Sequence, residues 1–167
     1  LDTPAREAVA EINADILVVF AYGHIFGPKF MGLFRFGGIN LHPSALPVYR
    51  GCTPVNAAIL NGDKETAFTI QKVSAKMDEG NILAQQKVVL NGTETAGSLL
   101  NDAAVQGAEL IAGLLAEISA NNGIPRFVSR LSETKNVVRS MVAERLSPFN
   151  TSAKEDRSTG TRIGSTW

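Results

Sequence analysis

The stretch Gly38-Ile39-Asn40-Leu41-His42-Pro43-Ser44-Ala45-Leu46-Pro47-Val48-Tyr49-Arg50-Gly51 constrains the fold more than any other part of the chain. Its first residues read as a short apolar strand whose end carries two polar side chains, Asn40 and His42. Period-2 spacing puts that pair on one side of the strand. A proline-punctuated loop follows, and Thr53-Pro54 supplies the start of a helix. Open α/β sheets build their sites this way, with polar groups at the carboxyl end of a strand and a stiff loop beyond.

The flanking sequence supplies further strands and helices. Thr3 is a cap and Pro4 a first-turn residue for a helix whose apolar face is Ala5, Ala8, Val9 and Ile12. Ile16 to Ala21 is a continuous apolar, β-branched run, the pattern of a strand buried on both sides. Tyr22 to Pro28 turn the chain, and Lys29 to Phe34 predict a short helix. Gly37 to Leu41 is the second strand, and the helix opened by Thr53-Pro54 closes at Asn61-Gly62. Phe68 to Val73 alternates as a half-exposed strand does, and Ile82 to Leu90 reads as another, with Lys76 to Gly80 turning between them. A long helix is predicted from about Glu94 to Ala120, with Leu99, Leu100, Ala103, Leu110, Ile111, Leu114, Leu115 and Ile118 as its buried stripe. Asn121-Asn122-Gly123 stops it. Helix and strand alternate first and a hairpin-like pair follows, which predicts a three-layer α/β sheet with parallel early strands.

At 167 residues the chain is one domain's worth of sequence, enough to bury a core. No run approaches the roughly 20 apolar residues of a membrane-spanning helix. The first residues lack the basic start and apolar centre of a signal peptide, and the chain begins with Leu, as a fragment or a processed product does. Cys52 is the one cysteine, so no internal disulfide can form, which fits a reducing compartment. Cys and His are too few for a recognisable zinc site. The zero net charge is uneven. Through Gly123 there are 8 basic and 12 acidic residues, a net −4, and from Ile124 there are 8 and 4, a net +4. That basic, Ser/Thr-rich end reads as a solvated, mostly disordered tail, with nucleic-acid contact as the alternative.

Three side chains stand out as carriers of chemistry. Singly, Asn40 reads as a strand-end cap, His42 as an ordinary part-buried histidine and Asp78 as a turn former. Together they suggest a site. His42 can exchange a proton near neutral pH, and the Asn40 amide can donate to a developing oxyanion. Asp78 can hold the imidazole or relay protons through water. No Ser or Cys sits beside a base in a readable motif, so the nucleophile would come from a substrate. Cys52 reads as a small packing residue at the helix start.

Asn40-Leu41-His42-Pro43-Ser44-Ala45-Leu46-Pro47 together with Met77-Asp78-Glu79-Gly80 resembles the signature of the folate-dependent formyltransferases. Tyr49 to Pro54, Asn61 to Thr66 and Ala21 to Phe26 are most similar to the methionyl-tRNA branch and its sugar-modifying relatives. The resemblance covers about Ala14 to Gly123. It implies a Rossmann-like three-layer fold, of which this chain would hold only the C-terminal part of the catalytic domain. The domain would be residues 1–123, partial, with 124–167 a divergent tail. Nothing after Ile124 resembles the C-terminal β-barrel of the methionyl-tRNA branch.

The implied reaction moves a formyl group from 10-formyltetrahydrofolate to the amino group of initiator methionyl-tRNA, in the cytoplasm and without a metal. Other implied readings are transfer to an amino-sugar nucleotide or other small amine, and an inactive folate-binding fragment. By resemblance, Asn40 would bind the oxyanion, His42 would polarise the formyl oxygen and assist proton movement, and Asp78 would tune His42. Ser44, Ala45, Leu46 and Pro47 would line the folate site, with Tyr22, Gly23 and Ile25 closing over the pterin. Arg50 would brace its loop or orient the acceptor. Two residues depart from the family pattern: Ala45 where Leu is common, and Asn81 where Asp often follows the glycine.

Overall fold

The computed structural model describes residues 2–124. The elements run α1 (Thr3–Ile12), β1 (Leu17–Phe20), α2 (Pro28–Met31), β2 (Gly38–His42), α3 (Pro54–Leu60), β3 (Glu65–Lys72), β4 (Ile82–Val89) and α4 (Ala96–Asn121). The strands form one mixed sheet in the order β1-β2-β3-β4. β1 and β2 are parallel, as the sequence predicts, and the β2–β3 and β3–β4 pairs are antiparallel. The readings made on residues 125–167 lie outside the described residues.

The register sorts the sheet into two faces. Leu41 lies opposite Ile70, and Ile70 opposite Ala84. With Ile39 and Phe68 these residues make the apolar face, all of them buried. Each of the Leu, Ile and Phe side chains contributes roughly 1.5–3 kcal/mol by leaving water, and Ala84 less. α4 covers this face with Leu99, Ala103, Leu110, Leu114 and Ile118, and α3 adds Val55 and Ala58. By length and composition α4 could cross a membrane, yet its apolar stripe is this core. Residues one step away point to the opposite face: Asn40 faces Gln71, and His42 faces Thr69, which faces Gln85. That face is polar, and it carries the site.

The structure revises several local expectations. Asp2, not Thr3, caps α1, its carboxylate accepting from the Ala5 N–H at 3.0 Å. The Thr3 hydroxyl instead accepts from Arg6. No α1 residue is buried, and Ile12 at its end is 71% exposed, so its apolar stripe contributes nothing to the core. β1 is an edge strand of the described sheet, and its Val18 is half-exposed rather than covered. β3 departs the other way. Six consecutive residues, Thr66 to Gln71, are buried, because α4 covers one face and the loops beyond β2 and β3 cover the other. α2 is shorter than predicted, ending at Met31. α4 starts at Ala96 behind a reciprocal Thr95–Ser98 cap, and Leu100 of its predicted stripe faces out.

Candidate active site

β2 ends with Asn40 and His42 on the polar face, where the 42–51 loop folds back over them. Asp78 arrives from the segment joining β3 to β4, with a positive φ of 53°. The turn that delivers it needs Gly80, because a Cβ there would run into the Lys72 carbonyl. Two donors hold the carboxylate. The Gly51 N–H reaches Oδ2 at 2.8 Å, and the Gln71 Nε2 reaches Oδ1 at 2.7 Å. His42 Nδ1 stands 3.5 Å from the same Oδ1.

His42 is 4% exposed, and both its ring nitrogens face acceptors. Nε2 lies 2.9 Å from the Tyr49 carbonyl, opposite the Asp78 side of the ring. A neutral imidazole carries one N–H and can donate to only one of these, whereas the protonated ring can donate to both. Tyr49, which presents that carbonyl, has a φ of 56°. The Asp63 carboxylate beside its phenol holds the phenol above its ordinary value. Asn40 differs from His42. Its side-chain amide makes no hydrogen bond among the described residues and is open to a ligand.

Asn40, His42 and Asp78 share one cavity of about 350 Å³. Tyr22, Gly23 and Ile25 line it too, and aromatic contacts brace that wall. Tyr22 stacks on Phe26 with centroids 4.7 Å apart, and Phe26 on Phe30 at 5.2 Å. Lys72 and Lys76 add positive charge at its edge.

Other predicted site residues lie elsewhere. Ser44, Ala45, Leu46 and Pro47 do not line the cavity. Ser44 is fully buried, with its hydroxyl donating to the Val48 carbonyl at 2.6 Å and its own carbonyl accepting from Thr69. Leu46 is buried, and its carbonyl accepts from Gln85. These groups are engaged in shaping the loop over the polar face. Cys52 is exposed on the cavity wall instead of packed, since the chain has not yet entered α3. Arg50 is exposed and makes no hydrogen bond or ion pair among the described residues, so the bracing reading has no contact behind it.

Sequence reasoning misses Gln71. Alternation along β3 points it to the polar face, which reads as solvent, yet it is 2% exposed and lines the cavity. The one available signal is its place seven residues before Asp78 on the strand feeding that turn.

A histidine flanked by a carboxylate, with an unengaged amide beside it in an aromatic-walled cavity, is an arrangement suited to moving an acyl-type group between nucleophiles. The family model for formyl transferase matches residues 2–115, and the chain belongs to that family. Methionyl-tRNA formyltransferase from Treponema pallidum (strain Nichols) is 49% identical over 125 residues, which is 75% of this chain and 39% of the relative. The enzyme of that name from Borrelia garinii (strain PBi) is 39% identical over 127 residues, covering 75% and 40%. The chain thus spans about two fifths of the length of these curated relatives. Phosphoribosylglycinamide formyltransferase from Bacillus halodurans aligns with a TM-score of 0.54 at 29% identity, over 61% of this chain and 53% of that one. A formyltransferase from Anoxybacillus kamchatkensis, solved with a UDP-linked formamido sugar and tetrahydrofolate, shares the fold with a TM-score of 0.56 at 22% identity, over 75% and 69%.

Proposed function

We propose that this chain carries the formyl-handling part of a methionyl-tRNA formyltransferase, acting in the cytoplasm with 10-formyltetrahydrofolate as donor. One observation carries the reading: the free Asn40 amide and the His42–Asp78 pair open into the same cavity. The amine of the acceptor attacks the formyl carbon, forming a C–N bond, and the formyl oxygen takes up the electron pair. Asn40 donates a hydrogen bond to that oxyanion. His42, oriented by Asp78 and the Tyr49 carbonyl, polarises the formyl oxygen and assists movement of the proton from the attacking amine to the departing N10. The bond from N10 to carbon breaks, leaving tetrahydrofolate and a formylated amine.

Tyr22, Gly23 and Ile25 contact the folate. Ser44, Ala45, Leu46 and Pro47 shape the loop above it. In this reading residues 1–123 are part of a Rossmann-like three-layer catalytic domain, and 124–167 are a separate basic tail. Identity to the two methionyl-tRNA enzymes favours initiator methionyl-tRNA as the acceptor.

The test offers the chain 10-formyltetrahydrofolate with initiator methionyl-tRNA, and in parallel with an amino-sugar nucleotide. Formylated methionyl-tRNA that disappears with His42→Ala is the expected result. Turnover of the sugar alone would reassign the acceptor. A wild type that formylates neither, or a His42→Ala variant as active as wild type, would end the reading.

A further inference from the structure

We propose that Gln71 is a positioning residue for the transfer reaction, clamping the Asp78 carboxylate in the orientation from which it serves His42. The observations are independent of one another. Among the described residues, the Gln71 Oε1 is the one buried side-chain polar atom with no hydrogen-bond partner. A sealed, unpaired acceptor is destabilising and rare in folded proteins. Its amide partner explains its retention, because Nε2 makes a 2.7 Å bond to Asp78 Oδ1. That contact also fixes which way the amide points, since its oxygen cannot face a carboxylate.

The backbone arrangement agrees. The β3–β4 register breaks between Ile70 and Gln71, where Leu83 has no partner in the ladder. Bulges of this kind re-aim a side chain beside a site. Gln71 also lies directly opposite Asn40. It therefore stands on β3 beside the oxyanion donor of β2 and bonds the carboxylate carried by the segment that follows β3. Asp78 Oδ1 then has two neighbours, the Gln71 amide at 2.7 Å and the His42 ring at 3.5 Å. Gly51 holds only the other oxygen. Without the amide, the carboxylate keeps a single anchor and can rotate away from the imidazole.

Rate measurements rest on the formyl-transfer reading, and spectroscopy separates the two. Gln71→Met removes the donor and the orphan acceptor at nearly constant volume. It is expected to lower kcat by roughly 10- to 100-fold, the scale of a misoriented catalytic group. KM for the folate should be unchanged, and the melting temperature should be at or above that of wild type. Gln71→Glu places an acceptor against Asp78 and regains a donor only when protonated. Its deficit relative to wild type should narrow on acidification, while that of Gln71→Met stays constant. A lowered melting point with wild-type kcat in both variants would show a structural role and overturn the proposal. The His42 ring ¹⁵N shifts report on Asp78 without turnover. They should differ between wild type and Gln71→Met, or Gln71→Glu if the first fails to fold, and unchanged shifts would overturn the clamp. A wild type without transferase activity would remove the proposed function and leave this arm to decide.

Discussion

Leu41 and Gly107 occupy one contact: a Cβ on Gly107 would fall inside the volume of the Leu41 side chain. Leu41 sits between Asn40 and His42 on β2. Its close seating against α4 sets the level at which the two polar neighbours enter the cavity on the opposite face. Gly107→Ala must push helix from sheet or force Leu41 off its rotamer, costing about 1–3 kcal/mol. Thermal melting should show the loss. Leu41→Ala leaves a cavity of its own, but the double variant should lose less than the two single effects summed, because the new methyl then enters vacated volume. A double variant less stable than the two single effects summed would contradict this account.

The Asn40 amide is held by no side chain or backbone group among the described residues, so removing it should leave the fold nearly intact. Asn40→Ala is expected to stay within about 1 kcal/mol of wild type in stability. Formyl transfer should nevertheless fall by roughly 10²- to 10³-fold, the usual cost of losing one oxyanion donor. Parallel melts and rate assays separate the two quantities. A variant destabilised in proportion to its lost rate would mark Asn40 as structural.

The sequence shows the Asn40–His42 pair because strand periodicity is short-range and leaves a visible pattern. It shows Asp78 because a turn ending in glycine must sit where chain geometry is unusual. Gln71 escapes notice because alternation separates the two faces of a strand without saying what covers the second. Phe68 and Ile70 face α4, and Thr69 and Gln71 face the 42–51 loop and the segment carrying Asp78, so polar does not mean wet here. The same gap misplaces Val18, because an apolar run does not say whether anything packs over each face of the strand, and Val18 is left half-exposed. Ser44 to Pro47 illustrate a third limit. A loop motif identifies residues that matter together, without telling which line a cavity and which hold the loop in shape.

Gly80 is a point where one methyl group should disturb the whole carboxylate clamp. The Cβ of Gly80→Ala would meet the Lys72 backbone carbonyl, which cannot rotate aside as a side chain could. The turn must shift, and Asp78, two residues earlier, moves with it. The bonds from Gly51 and Gln71 should weaken together. A stability loss of about 1–3 kcal/mol is expected, with weaker binding of a folate analogue by calorimetry. Gly27→Ala is the control, since a Cβ there meets nothing within 4 Å. Equal behaviour of the two variants would show that the Lys72–Gly80 approach does not govern Asp78.

Glu94 supplies a pH dependence away from the site. The Asn91 and Gly92 N–H groups donate to its two carboxylate oxygens at 2.8 and 2.9 Å, closing the turn ahead of α4. These donors, Asn91 first, hold the carboxyl below its ordinary value of 4.5. The folded state therefore binds this proton less readily than the unfolded chain does. Its contribution to stability is present above the ordinary value and is lost as pH falls through the lower, folded one. Glu94→Gln cannot ionise, so it should melt below wild type near neutral pH. The gap should close as the buffer is taken below the ordinary glutamate range, where the wild-type carboxylate is also lost. Melting curves for both proteins across that range check the sign. A gap that stays constant with pH would assign the turn's stability to geometry alone, with no part for the charge.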